Sequence, residues 1–130
     1  MRLLIVEDDL DGGEILRELF TLEGFDVAWA RTGAAAIELA KDGGFEAALV
    51  DLSLPDMEGT AVLFALRRSL PHAGLALVTG FPPATLDGEI WRTADRVFEK
   101  PIDPDVLLAF VQGAIEARGP EGVDVPAPPA

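Results

Sequence analysis

Three runs of four apolar residues constrain the fold more than anything else in the chain: Leu3-Leu4-Ile5-Val6, Ala47-Ala48-Leu49-Val50 and Leu75-Ala76-Leu77-Val78. Each is too short for a buried helix and apolar at every position, the pattern of a strand covered on both faces. Each stops abruptly on polar residues: Glu7-Asp8-Asp9 after the first, Asp51 after the second, Thr79 after the third. Asp95 to Lys100 reads as a final strand with Pro101 just beyond it. Phe25, Val27 and Trp29 alternate with Asp26, Ala28 and Ala30, a period of two that predicts a further strand with one more exposed face.

Helical signals separate these strands. Asp9-Leu10-Asp11 can cap a helix in which Ile15, Leu16, Leu19 and Phe20 recur at helical spacing, with Gly24 as the stop. Thr32 can cap a second, with a core stripe of Ala36, Ile37, Leu39 and Ala40 that ends before Gly43-Gly44. Apolar positions 62, 63, 66 and 70 mark a third, closed by Pro71. From Phe81 to Arg92 the prolines at 82 and 83 and Gly88 weaken helix formation, so a short or mobile helix is expected. Asp103-Pro104 begins the last helix, whose apolar face would be Val106, Leu107, Phe110, Val111 and Ile115. The tail from Gly119 to Ala130, with four prolines and almost no large apolar group, is expected to be disordered or the start of a linker. Residues 1–118 thus make one domain and 119–130 a Pro/Ala-rich tail.

Five strands alternating with five helices point to an α/β fold with a doubly wound parallel sheet, helices on both faces. Ligands of such sheets bind at the carboxyl ends of the strands. Here those ends carry Glu7, Asp8, Asp51, Thr79 and Lys100, which gather on one rim. Carboxylates converging there repel by roughly 3 kcal/mol per pair at about 5 Å and an effective dielectric near 20. A hard divalent cation relieves this, and Mg²⁺ takes one or two carboxylates with waters and phosphate oxygens. Lys100 and Thr79 add a fixed charge and a hydroxyl, equipment suited to the oxygens of a transferring phosphoryl group. A carboxylate would be the nucleophile, since the chain has no cysteine and its single histidine, His72, falls after Pro71 in a loop.

Together Glu7-Asp8, the Asp51-Leu52-Ser53-Leu54-Pro55 run with Gly59 behind it, Thr79-Gly80 and Lys100-Pro101 resemble the receiver domain of two-component response regulators, over residues 1–118. The resemblance implies a flavodoxin-like sheet of strand order 2-1-3-4-5. It implies that Asp51 is the phosphoacceptor, taking a phosphoryl group from a phosphohistidine on a sensor histidine kinase or histidine phosphotransfer protein. Asp8 and Asp51 would ligate Mg²⁺, Glu7 would act through water, and the backbone carbonyl of Ser53 would complete the set. Thr79 would hydrogen-bond the phosphoryl group, Lys100 would pair with it, and the Lys100-Pro101 bond would be cis. Such a domain is no enzyme in its own right, although it assists its own phosphorylation and dephosphorylation; it switches contacts with a downstream protein target.

Three departures stand out: Leu54 where methionine is common, Val97 where the family's aromatic switch usually sits, and a Thr79 to Lys100 interval about one residue short. Phe98, next to Val97, has the opposite strand parity and is expected in the core. A haloacid-dehalogenase-type Mg²⁺-dependent aspartate-nucleophile phosphatase would want a second acid two residues after Asp51, where Ser53 stands. A toprim-type nuclease site would want the same acid. A non-phosphorylated pseudo-receiver, an interaction module, usually lacks one of the acid, Thr or Lys positions, and all are present here.

Charge narrows the partners. Ten lysines and arginines against 23 acids give a net charge of −13, which repels nucleic acid and anionic membranes. The absence of cysteine suits a cytoplasmic protein, and the short apolar run at the N-terminus is followed at once by acids, unlike an export signal. A monomer or weak dimer is expected.

Overall fold

The computed structural model describes residues 1–118, and the tail expected to be disordered lies outside the described residues. The elements are β1 (Arg2–Val6), α1 (Leu10–Leu22), β2 (Asp26–Ala30), α2 (Gly33–Ala40), β3 (Ala47–Asp51), α3 (Gly59–Ser69), β4 (Gly74–Thr79), α4 (Gly88–Thr93), β5 (Arg96–Glu99) and α5 (Pro104–Arg118). The sheet order is β2-β1-β3-β4-β5, every pairing parallel, as the resemblance implies. All strands therefore end at the same edge.

Period-two packing divides the core. Leu4, Val6, Ala48, Val50, Leu75 and Leu77 face the layer of α2, α3 and α4, against Ala36, Val62, Leu63 and Leu66. Leu3, Ile5, Ala47, Leu49, Ala76 and Val78 face the layer of α1 and α5, against Phe20, Leu107 and Val111. β1, β3 and β4 are buried on both faces, which is why their sequences are apolar throughout. Phe20 meets Phe25 edge to face at 5.6 Å between ring centroids, and Phe98 meets Phe110 at 5.8 Å. Phe98 thus packs in the α1/α5 layer while Val97 points to the other, the parity read from the sequence, and both are half-buried.

Two positions expected on apolar helix faces are exposed: Ile15 is 58% exposed and Val106 46%. On α1 the buried line runs through Gly13, Leu16 and Phe20, and Ile15 lies about 100° round the helix from Leu16. On α5 the seam is Leu107, Val111 and Ala114, and Val106 is likewise turned off it. In α2 Ala36 and Ala40 carry the stripe and Ile37 and Leu39 are half-buried.

The stretch weakened by glycine and proline forms a 3₁₀ turn at Pro83–Thr85 and then the six-residue α4, capped by Asp87, whose carboxylate accepts from the Glu89 amide. Its C-terminal end is fixed by Arg67, whose guanidinium donates to the carbonyls of Thr93 (2.9 Å) and Ala73 (2.9 Å) and pairs with Asp95 at 3.0 Å. Among the described residues no helix is long and apolar enough to cross a membrane.

Candidate phosphoacceptor and metal site

Asp51 is the last residue of β3, with Val78 opposite it on β4, so Thr79 ends its strand one residue further along the same edge. Glu7 and Asp8 leave β1 on the other side of β3, and Lys100 follows β5, its amide donating to the Thr79 carbonyl at 2.7 Å. The Lys100-Pro101 bond is cis. Parallel pairing alone brings the five polar residues at the ends of β1, β3, β4 and β5 to one rim.

The side chains converge. Lys100 Nζ lies 2.9 Å from Asp51 Oδ2 and 3.6 Å from Glu7 Oε1. Glu7, Asp8 and Asp51 each offer a carboxylate oxygen, and these oxygens lie within 4.8 Å of one another. Glu7 and Asp51 are 7% and 6% exposed, while Asp8 is at the surface. Burial, and then the hydrogen bond and charge of Asp51, push the Glu7 carboxyl up to about 7. Burial works on Asp51 in the same sense, but hydrogen bonds from Glu7, Lys100 and the Ser53 amide outweigh it and hold Asp51 below its ordinary value. Lys100 is lowered by burial and raised by more through Asp51 and Glu7, so its ammonium is stabilised. Asp51 is thus the stronger acid of the two, and Glu7 the one that holds its proton to higher pH. This donor set fits a hard divalent cation: all oxygen, gathered at one point, with more negative charge than one lysine neutralises.

The loop after β3 is braced from several sides. The Ser53 amide donates to Asp51 Oδ1 at 3.0 Å, and Ser53 bridges to Glu58. Gly59 starts α3 directly against the strand end: its amide donates to the Leu52 carbonyl at 2.9 Å, and a Cβ there would lie 2.5 Å from the Leu52 Cα. No residue but glycine permits that approach. The Asp56 carboxylate reaches across to the first amides of α2, Gly33 at 2.8 Å and Ala34 at 3.0 Å, while Thr32 caps Ala35 at 3.1 Å. A cavity of about 590 Å³ between α1 and α5 opens beside Glu7, Asp51 and Lys100, with Leu49, Val78 and Leu107 among its walls, and leaves the buried acid reachable.

Thr79 is fully buried and its Oγ1 accepts from the Phe81 amide at 3.0 Å, so in this conformation the hydroxyl oxygen is turned to the loop leading to α4. Two partners of the site were not legible in the sequence. Asp56 reads there as an ordinary turn residue, since nothing local tells that α2 begins beside it. Trp29 reads as a strand residue, yet its indole Nε1–H donates to the Glu7 carbonyl at 2.9 Å.

Comparison with known proteins bears directly on this edge. The response regulator receiver domain family matches residues 3–112. The swarming motility regulation protein RssB of Serratia marcescens is 38% identical over 79 residues, 61% of this chain and 36% of that protein. The cell cycle transcriptional regulator CtrA of Caulobacter vibrioides is 28% identical over 118 residues, 88% of this chain and 50% of that protein. The chain therefore spans half or less of the length of these two relatives. Among solved structures, a CheY-like receiver domain protein of Methanospirillum hungatei superposes with a TM-score of 0.84 at 30% identity, covering 93% of this chain and 98% of that one. The response regulator TrrA of Thermotoga maritima, solved in complex with Mg²⁺-BeF, superposes at 0.78 with 26% identity, over 87% of this chain and 97% of that one. A match running from β1 into α5 and taking in every polar strand end of the rim leaves one assignment: the chain belongs to the response regulator receiver domain family.

Proposed function

We propose that the protein is a phosphoacceptor in a two-component phosphorelay, with Asp51 receiving the phosphoryl group from a phosphohistidine of a sensor kinase or phosphotransfer protein. One observation carries the reading above the rest: Lys100 Nζ sits 2.9 Å from Asp51 Oδ2 while the oxygens of Glu7, Asp8 and Asp51 gather within 4.8 Å. An ionised, buried carboxylate between a fixed ammonium and a cation-binding cluster is a nucleophile placed beside the charges that a phosphoryl group needs.

In this reading an Asp51 oxygen attacks phosphorus. The P–O bond forms as the P–N bond breaks, and the histidine ring nitrogen departs with the electron pair. Lys100 moves its contact from Asp51 to a phosphoryl oxygen, and the Thr79 hydroxyl donates to another. Mg²⁺, held by the carboxylates of Asp8 and Asp51, by Glu7 through water and by the Ser53 carbonyl, would neutralise charge on the phosphoryl oxygens. The net charge of −13 favours output through protein contacts over binding to nucleic acid.

The test is intact-mass measurement after treatment with acetyl phosphate and Mg²⁺. Wild type should gain one phosphoryl group and Asp51→Asn none. Equal labelling of both would move the acceptor elsewhere, and no labelling of wild type by either acetyl phosphate or a phosphorylated kinase would favour an interaction module without phosphorylation.

A further inference from the structure

Glu7 lies one residue beyond the last β1–β2 pair, Val6 with Ala30. Its amide still donates to the Ala30 carbonyl at 3.0 Å, but past that point the chain turns away from the sheet toward Thr32 and α2, so the Glu7 carbonyl has no strand amide to meet. The Trp29 indole N–H occupies that place, at 2.9 Å. Both backbone groups of Glu7 are therefore tied to the end of β2, one by backbone and one by a side chain.

The indole reaches this carbonyl only because α1 makes room. A Cβ on Gly13 would lie 2.1 Å from Trp29 Cζ2, far inside contact distance. Glycine within a helix is less stable than alanine, so the ring's seat against α1 offsets a local cost. The Arg17 guanidinium, 5.8 Å from the ring centroid, lies over the same indole, and Trp29 is half-buried against the α1/α5 layer.

Glu7 and Asp8 share the peptide plane whose oxygen the indole holds. Fixing that oxygen fixes the plane, and with it the direction in which each residue's side chain leaves the backbone. Asp8 is exposed, so packing does little to aim its carboxylate. We propose that Trp29 is a positioning residue of the cation site: through the Glu7 carbonyl it sets the peptide plane that aims Glu7 and Asp8 toward Asp51. This rests on the reading of the rim as a Mg²⁺-dependent phosphoacceptor.

The experiment uses the full chain carrying Trp91→Phe, leaving Trp29 as the one tryptophan and hence a single ¹⁵N indole resonance. Titration with MgCl₂ should move that resonance along the same isotherm that calorimetry gives for Mg²⁺ binding. Trp29→Phe, which keeps a ring and loses the donor, should weaken Mg²⁺ binding about tenfold, the usual scale for groups that hold metal ligands in place. Gly13→Ala, by displacing the ring, should weaken it as well, and Gly13→Ala with Trp29→Phe should bind no more weakly than Trp29→Phe alone. Thermal melting in chelator separates lost stability from lost affinity and shows which variants are folded. Unchanged Mg²⁺ affinity in a folded Trp29→Phe protein, or an indole resonance that stays fixed while wild type binds Mg²⁺, overturns the proposal. Wild type that binds no Mg²⁺ by calorimetry overturns the metal reading itself and this proposal with it.

Discussion

Lys100 and a divalent cation would draw on the same oxygens. The ammonium takes Asp51 Oδ2 at 2.9 Å, so a cation must either displace it or share the carboxylate with it. Lys100→Met should therefore tighten Mg²⁺ binding, roughly two- to fivefold, the equivalent of the ~0.5–1 kcal/mol of a partly exposed ion pair. The same substitution should slow labelling by acetyl phosphate, because the ammonium that would pair with the phosphoryl group is gone. Calorimetry and the labelling rate check the two signs, and a weaker Mg²⁺ affinity in Lys100→Met would show that lysine organises the cluster instead of competing for it. Asp56 offers a second test on one side chain. The amides of Ala34 and Gly33 hold its carboxyl below the ordinary carboxylate value. A depressed folded value means a contribution to stability that is present above the unfolded carboxylate range and lost as pH falls through the folded value. Asn has the shape of the protonated acid, so Asp56→Asn should melt below wild type at pH 7, with the gap closing as the pH falls below the ordinary carboxylate range. A gap independent of pH would assign the loss to packing.

At the scale of elements, the legible parts were those whose cause is local. The runs ending at Val6, Val50 and Val78 identify strands because burial on both faces leaves no room for polar residues, and Thr32 and Asp9 cap helices through amides three residues on. The rim of Glu7, Asp8, Asp51, Thr79 and Lys100 follows from those strands once they run parallel. The contacts of Asp56 with α2, of Trp29 with Glu7 and of Arg67 with the end of α4 join residues 22 to 26 positions apart, and no periodicity reports such pairs. The exposure of Ile15 and Val106 has the same origin, since helix rotation is set by what packs beneath. The segment from Gly80 to Arg92 shows how one element can carry a signal. Its first amide bond to the site runs from Phe81 to Thr79 Oγ1, and a rotation that carries Oγ1 toward a phosphoryl group would stretch that contact. Beyond it stand only a three-residue turn and a six-residue helix, anchored by Ile90 and by Arg67 at the far end. Val97, stiff at χ1 and smaller than an aromatic, is poorly suited to report the motion on β5. Hydrogen exchange with beryllofluoride and Mg²⁺ should therefore change protection first between Phe81 and Asp87, and Thr79→Ala should abolish that response. Changes confined to β5 and α5 would locate the signal route there instead.

For the whole molecule the cluster would link cation binding to folding. The three carboxylates come together only when β1 and β3 pair, so a Mg²⁺ ion held by them would have a site on the folded protein that the unfolded chain does not offer. Binding to the folded state alone stabilises it by RT ln(1 + [Mg²⁺]/Kd), about 2.7 kcal/mol at a hundred times Kd. For a domain of this size that is on the order of ten degrees in Tm. The chain's net charge of −13 means that any added salt also relieves self-repulsion, so the comparison must be made at equal ionic strength, MgCl₂ against NaCl with chelator. Site binding would raise Tm with the logarithm of Mg²⁺ concentration and would depend on Asp8, the exposed member of the cluster, whose replacement by Asn costs no packing. Wild type should thus melt progressively higher in MgCl₂, and Asp8→Asn should show a response to Mg²⁺ close to its response to NaCl. If wild type melts at the same temperature in both salts, or if Asp8→Asn gains as much from Mg²⁺ as wild type does, the ion acts only by screening the acidic surface and the three carboxylates are not its site.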